Sequence, residues 1–151
     1  KTVQQQAQCD PNIIMTDYLV GDPLKELYSN CGLFVLPSHT EGLSLSLLEA
    51  LSIGARCLVS DIPENTVVTD IYGAAFTPED TDDLARALER ECAQEYPDAM
   101  RQQQIEYVHT NFEYEVMLDR YEEVYHHVVG DPLKAMPSTL KKEKVPMGAK
   151  A

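Results

Sequence analysis

Apolar residues in the first half of the chain fall into two rhythms. Short unbroken runs at Ile13-Ile14-Met15, Leu33-Phe34-Val35-Leu36 and Cys57-Leu58-Val59 predict strands. The second run stops at Pro37 and contains no polar position, the pattern of a strand buried on both faces. Between the runs the spacing becomes helical. Asp22-Pro23 predicts an N-cap followed by proline at the first helical position, and Leu24, Leu27 and Tyr28 carry that helix on to Gly32. Leu45 to Ile53 predicts a second helix, closed by Gly54 where a left-handed cap is easiest. Ile62-Pro63 opens a short helix or turn, and Ala74-Ala75-Phe76 adds a last short strand. Strands alternating with helices over short links imply a parallel sheet, hence an α/β fold.

Beyond residue 76 the pattern is helical throughout. Asp80 to Gln94 places Leu84, Ala85, Leu88 and Cys92 on one face, with acids in its first turn. Asp98 to Thr110 and Glu113 to Val129 are two further helices. In the last, Val116, Met117, Tyr121, Val124, Tyr125 and Val128 form an apolar stripe that reads as core. Residues 131–151 hold three prolines and five lysines and read as a loose basic tail. Gly-Asp-Pro-Leu-Lys occurs at 21–25 and again at 130–134, which is reuse of a helix-start phrase and not a repeat architecture.

Composition narrows the classes of function. The 151 residues carry a net charge of −13, and 44% are hydrophobic, enough to build a core. Residues 61–130 hold 17 acids against four bases, which excludes a general nucleic-acid footprint there. Those acids form no unbroken run of five, so they read as solvated helical faces. No apolar run is long enough to span a bilayer. Cys9, Cys31, Cys57 and Cys92 are far apart and form no C-x-x-C pair, so they read as reduced thiols in a reducing compartment. No metal-ligand spacing is present: His126 and His127 are adjacent on a helix and diverge by about 100°.

The chemistry concentrates between Leu36 and Ala50. This segment leaves the carboxyl end of a strand, crosses a polar loop and enters a helix. Ligands of open parallel sheets sit outside those strand ends. Free amides at a helix start, here Leu43, Ser44 and Leu45, favour phosphate, and Gly42 leaves room for close approach. Glu41 precedes the helix and Glu49 lies on it. Carboxylates accept two hydrogen bonds from a vicinal diol, so a phosphate cradle between two of them suits a nucleotide sugar. Other readings stand beside this one. Ser46-x-x-Glu49 has the spacing of a capping box, and Glu41 is equally compatible with a solvated loop acid. Ser38 and His39 do not make a nucleophile and base, because adjacent side chains at a strand end diverge and no acid is fixed beside them.

Pro37-Ser38-x-x-Glu41-Gly42-Leu43-Ser44-Leu45-x-Leu47-Leu48-Glu49-Ala50-Leu51-x-x-Gly54 closely resembles the signature of family 4 retaining glycosyltransferases, whose E-x7-E phrase falls on Glu41 and Glu49. The resemblance extends from Asn12 to Ser29, through Leu58 to Glu64 and Gly73 to Pro78, to Asn111-Phe112. It implies the GT-B fold, which pairs two Rossmann-like domains, with this chain in the C-terminal, donor-binding one. Residue by residue it implies that Glu41 is catalytic and contacts the donor sugar, that Gly42, Leu43, Ser44 and Leu45 hold sugar and diphosphate, and that Glu49 binds the ribose. The loop at Tyr18, Leu19 and Val20 would lie near the nucleobase. The family generally needs no metal for transfer, and the donor is a substrate, so no cofactor is implied.

Two departures from the signature are Ser44 in place of glycine and Ser46 in place of proline. Serine at 44 still offers its amide, while helix entry is less rigid without proline. The family's Arg and Lys that neutralise the diphosphate lie upstream of the matched segment, as does the acceptor-binding domain. The expectation is therefore an N-terminally truncated donor domain, silent by itself. It comprises a partial Rossmann-like unit at 1–112, a helix at 113–130 packing across to the missing domain, and the tail at 131–151. The parent would move a hexose from a nucleotide diphosphate sugar to a sugar or lipid-linked acceptor, in cell-surface polysaccharide or glycolipid synthesis. It would be cytoplasmic and peripheral to the inner face of the membrane. A non-catalytic nucleotide-sugar-binding or interaction module, and a GT-B-fold nucleotide-sugar epimerase, are the alternatives.

Overall fold

The computed structural model of the chain describes residues 3–7, 9–69 and 71–129. The expected basic tail at 131–151 and the second Gly-Asp-Pro-Leu-Lys lie outside the described residues. The chain divides into two compact units, residues 1–109 and 110–151.

The first unit opens with helix α1 (Val3–Ala7) and helix α2 (Asp22–Asn30), followed by strand β1 (Phe34–Leu36), helix α3 (Leu45–Ser52) and strand β2 (Cys57–Ser60). Helix α4 (Pro63–Thr69), strand β3 (Gly73–Phe76) and helix α5 (Thr81–Ala93) come next, and helix α6 (Asp98–Phe112) runs across the division. The strands form one parallel sheet in the order β1-β2-β3, with Phe34 opposite Cys57 and Cys57 opposite Gly73. An α/β architecture of parallel strands flanked by helices is thus in place, consistent with part of a Rossmann-like domain.

Burial follows strand position. Central β2 is buried at all four residues, whereas edge strand β1 is only half-buried along its length, less than its unbroken apolar run predicts. Leu58, Phe76 and Ala87 form a core cluster against which Val35, Leu84 and Leu88 pack. On α5 the inward face is therefore Leu84, Ala87, Leu88 and Glu91, while Ala85 and Cys92 are exposed. The face predicted through 85 and 92 is rotated because Glu91 turns inward to the Arg56 guanidinium, at 2.8 and 3.0 Å. Arg56 also donates to the Gln94 carbonyl at 2.7 Å, so the pair is well enough bonded to tolerate its burial.

Three local expectations change. Ile13-Ile14-Met15 is not a strand: all three residues are exposed and, among the described residues, no strand pairs with them. An apolar triplet becomes a strand only where a neighbour accepts its ladder. The cap of α2 is Gly21, at φ +67°, one residue before the predicted Asp22. In the second unit, helix α7 (Tyr114–Val129) has the predicted extent within one residue, but Tyr121, Val124, Tyr125 and Val128 are exposed and not core. The predicted glycine stop after α3 holds, with Gly54 at φ +77° and Ala55 N–H donating to Ala50 O at 2.9 Å.

The carboxyl end of α3 is fastened by α6. The Gln104 amide, fully buried, donates to Leu51 O at 2.9 Å and to Ala55 O at 3.0 Å. Arg101 donates to Gly54 O at 2.7 Å. These bonds satisfy carbonyls that a helix end otherwise leaves without donors. They lie at the amino ends of the strands and leave the opposite end of α3 free for the loop after β1.

Candidate functional site

The loop from Pro37 to Ser44 begins where β1 ends and delivers the chain to the N-terminus of α3. Ser44 is the N-cap, in extended conformation, yet its side chain makes no capping bond to the helix. Its hydroxyl instead lies 3.1 Å from that of Ser46. The first helical bond runs from Leu48 N–H to Ser44 O at 3.1 Å. Among the described residues, the amides of Gly42 to Leu45 have no backbone or side-chain acceptor. The positive end of the helix dipole is thus uncapped at a strand carboxyl end, a favourable place for an anion. Gly42 and Leu43 are exposed, and a methyl group at Gly42 would meet nothing within 4 Å, so the cradle is open to solvent.

The helix start also decides the capping-box reading of Glu49. With Ser44 as N-cap, Ser46 lies inside the helix, and Glu49 is too far along it to reach back to the cap amide. Among the described residues, the exposed Glu49 carboxylate has no hydrogen-bond or ion-pair partner. It faces a cavity of about 170 Å³ lined by Gly21, Lys25 and Tyr28 of the preceding helix region. Burial, and then the nearby Glu49 charge, raise the Tyr28 phenol above its ordinary 10.0.

Glu41 is half-buried and is held. The Ser38 hydroxyl donates to its Oε1 at 2.6 Å, the length of a charge-assisted bond. Glu41 is therefore not a freely solvated loop acid. An acid does stand beside His39, contrary to expectation, with Glu79 Oε1 3.5 Å from Nδ1, but Ser38 and His39 are not a catalytic pair, because the serine proton is committed to Glu41. Glu79 has φ +63°, an uncommon conformation for a non-glycine residue, in the turn before α5. Pro37, His39, Ser60, Phe76, Glu79 and Leu84 line a cavity of about 180 Å³ at the carboxyl ends of all three strands.

Glu41, the amides of Gly42 to Leu45 and Glu49 thus lie on one loop-helix junction, as their spacing requires. Tyr18 and Leu19, the residues expected near a nucleobase, line neither of these two cavities. Tyr18 is 88% exposed, and Leu19 lines a separate groove with Thr16 and Phe34 along β1. The residues of this loop region that reach the Glu49 cavity are Gly21 and Leu24. Sequence reasoning missed Lys25 and Tyr28 as neighbours of Glu49; their spacing on α2 was visible, but not the side on which α3 packs. Among the described residues, no group of three or more His, Cys, Asp or Glu is placed to hold a metal ion. No described helix is long and apolar enough to cross a membrane.

Comparison with known proteins finds glycosyltransferases. A mannosyltransferase of Escherichia coli, serotype-specific mannosyltransferase WbdA, is 41% identical over 78 residues, 52% of this chain and 10% of that protein. The N,N'-diacetylbacillosaminyl-diphospho-undecaprenol alpha-1,3-N-acetylgalactosaminyltransferase of Campylobacter jejuni is 53% identical over 36 residues, 24% of this chain and 10% of that protein. The chain therefore matches about a tenth of the length of these relatives. The family model described as glycosyl transferases group 1 matches residues 1–94, which take in the whole sheet, the cradle and both glutamates. With the family's matched region covering well over half of its length, the chain belongs to the glycosyl transferases group 1 family.

Proposed function

We propose that the chain supplies the donor-nucleotide side of the cleft in a retaining glycosyltransferase. Such an enzyme transfers a hexose from a nucleotide diphosphate sugar to a sugar or lipid-linked acceptor, in cell-surface polysaccharide or glycolipid synthesis. The observation that carries this reading is the uncapped start of α3 between two carboxylates, one held at the mouth and one unpartnered on the helix. The Gly42 to Leu45 amides bind the diphosphate, Glu49 the ribose diol and Glu41 the hydroxyls of the donor sugar. The loop that carries Tyr18 and Leu19 borders the nucleobase, with Gly21 and Leu24 as its members at the Glu49 cavity. The names of the two relatives make mannose and N-acetylgalactosamine the first sugars to test.

Transfer separates a nucleoside diphosphate from the sugar, and negative charge grows on the leaving phosphate as the glycosidic bond breaks. Amides at a helix start stabilise part of that charge, but a full effect needs a nearby cation. Lys25, beside Glu49, stands 3.8 Å from Asp22 Oδ1, and Arg56 and Arg101 are committed at the amino ends of the strands, to Glu91 and to Gly54 O. The chain by itself is therefore proposed to bind donor without turning it over. Helix α7, with its exposed apolar stripe, is proposed to cover a partner domain. The enzyme is proposed to work in the cytoplasm, peripheral to the inner face of the membrane.

Calorimetric titration with GDP-mannose, UDP-N-acetylgalactosamine and the free nucleoside diphosphates tests the assignment. Glu49→Ala is expected to weaken nucleoside diphosphate and nucleotide sugar alike. Glu41→Ala is expected to weaken the nucleotide sugar alone. Unchanged affinity in both variants contradicts the assignment.

A further inference from the structure

Glu41 can act on a sugar only if its carboxylate waits in one orientation. A glutamate has three rotatable side-chain bonds, and freezing them at the moment of binding lowers affinity. Here one oxygen is already fixed. Ser38 Oγ donates to Oε1 at 2.6 Å, while Oε2 has no hydrogen-bond partner among the described residues. Ser38 is well placed for the task. It follows Pro37 two residues after the end of β1, and it is half-buried. The next residue after the carboxylate is Gly42, which is exposed and has nothing within 4 Å of where a Cβ would sit.

From this geometry we infer that Ser38 is a positioning residue for recognition of the donor sugar: its hydroxyl holds Oε1 so that Oε2 is presented to a sugar hydroxyl. The inference rests on the proposed contact between Glu41 and the sugar. Ser38 touches no substrate itself, and it sits on the sugar side of the cradle. Its loss should therefore leave recognition of the nucleoside diphosphate intact. A serine that merely held the loop together would affect both ligands together, because the cradle amides belong to the same loop.

Titration calorimetry with GDP-mannose, UDP-N-acetylgalactosamine, GDP and UDP on Ser38→Ala, Ser38→Thr and Glu41→Ala separates these possibilities. Ser38→Ala should lower nucleotide-sugar affinity about 3- to 10-fold, the worth of one hydrogen bond, with nucleoside diphosphate affinity unchanged. Ser38→Thr, which keeps the hydroxyl, should restore it. Equal losses for sugar-bearing and sugar-free ligands, or no rescue by threonine, overturn the inference. So does a silent Ser38→Ala beside a weakened Glu41→Ala, and in that case the Glu41 assignment survives. A silent Glu41→Ala, or no binding of any nucleotide sugar by the unaltered protein, overturns both.

Discussion

Replacing Gln104 by leucine tests whether α6 holds the site helix from behind. Leucine is close to glutamine in helix propensity and, though one bond shorter, has no less bulk, so the change removes chiefly the amide. It deletes the donors to Leu51 O at 2.9 Å and Ala55 O at 3.0 Å, and the acceptor of the Tyr96 hydroxyl. The three losses are unequal. Leu51 O keeps the Gly54 N–H at 3.0 Å, and the Tyr96 hydroxyl can turn its one proton to Tyr72 O at 3.5 Å. Ala55 O keeps only the Cys57 thiol at 3.3 Å, a weak donor. One poorly satisfied buried carbonyl costs about 1–3 kcal/mol, and each of the other two bonds about 1 kcal/mol net. Part of this is offset by burying an apolar side chain, so a loss of about 3 kcal/mol is expected. For a unit of roughly 100 residues that lowers Tm by about 12–24 °C. Urea unfolding followed by circular dichroism should show a lower midpoint at unchanged slope. Gln103→Leu, at an exposed neighbour, should stay within about 0.5 kcal/mol of the parent. A Gln104→Leu loss below about 1 kcal/mol would refute the reasoning, since the three bonds would then contribute no more than one ordinary bond.

Two further predictions concern packing and pH. A Cβ at Gly73 would come within 2.6 Å of Thr69 Cβ and 2.9 Å of its Cγ2, and Thr69 is itself buried with its hydroxyl on Asn65 O. Gly73→Ala should therefore destabilise by about 1–3 kcal/mol in calorimetric unfolding, and an unchanged Tm contradicts the contact. Asp83 is held below its ordinary 3.8 first by the backbone N–H of Thr77, which donates to it at 2.7 Å, and further by Arg86. A carboxylate depressed on folding contributes stability that is complete above its unfolded value and is lost as pH falls through the folded one. Asp83→Asn should therefore flatten the acid limb of the stability profile below about pH 4, and an identical limb would contradict the assignment.

What the sequence could and could not convey follows from the range of each interaction. Gly54 was legible because a helix stop is local: its φ of +77° belongs to the residue type itself. Strand β2 was legible because a central strand is apolar on both faces. Ile13-Ile14-Met15 looked the same over three residues, yet strand formation depends on a neighbour that the triplet cannot announce. Glu91 was assigned to solvent by its charge, whereas Arg56, 35 residues earlier, draws it inward. The loop-helix junction that carries Glu41 and Glu49 was legible as a phrase. The bond from Ser38 to Glu41 was not, although the two are only three residues apart, because a loop has no periodicity from which to infer side-chain direction.

The central claim is that the start of α3 receives a diphosphate between two carboxylates. The most direct measurement is the amide ¹H–¹⁵N spectrum of the labelled chain during titration with GDP and UDP. Saturable shifts centred on Gly42, Leu43, Ser44 and Leu45, extending toward Glu49, are expected. Shifts confined to the groove beside β1, or none at millimolar nucleotide, would contradict the claim.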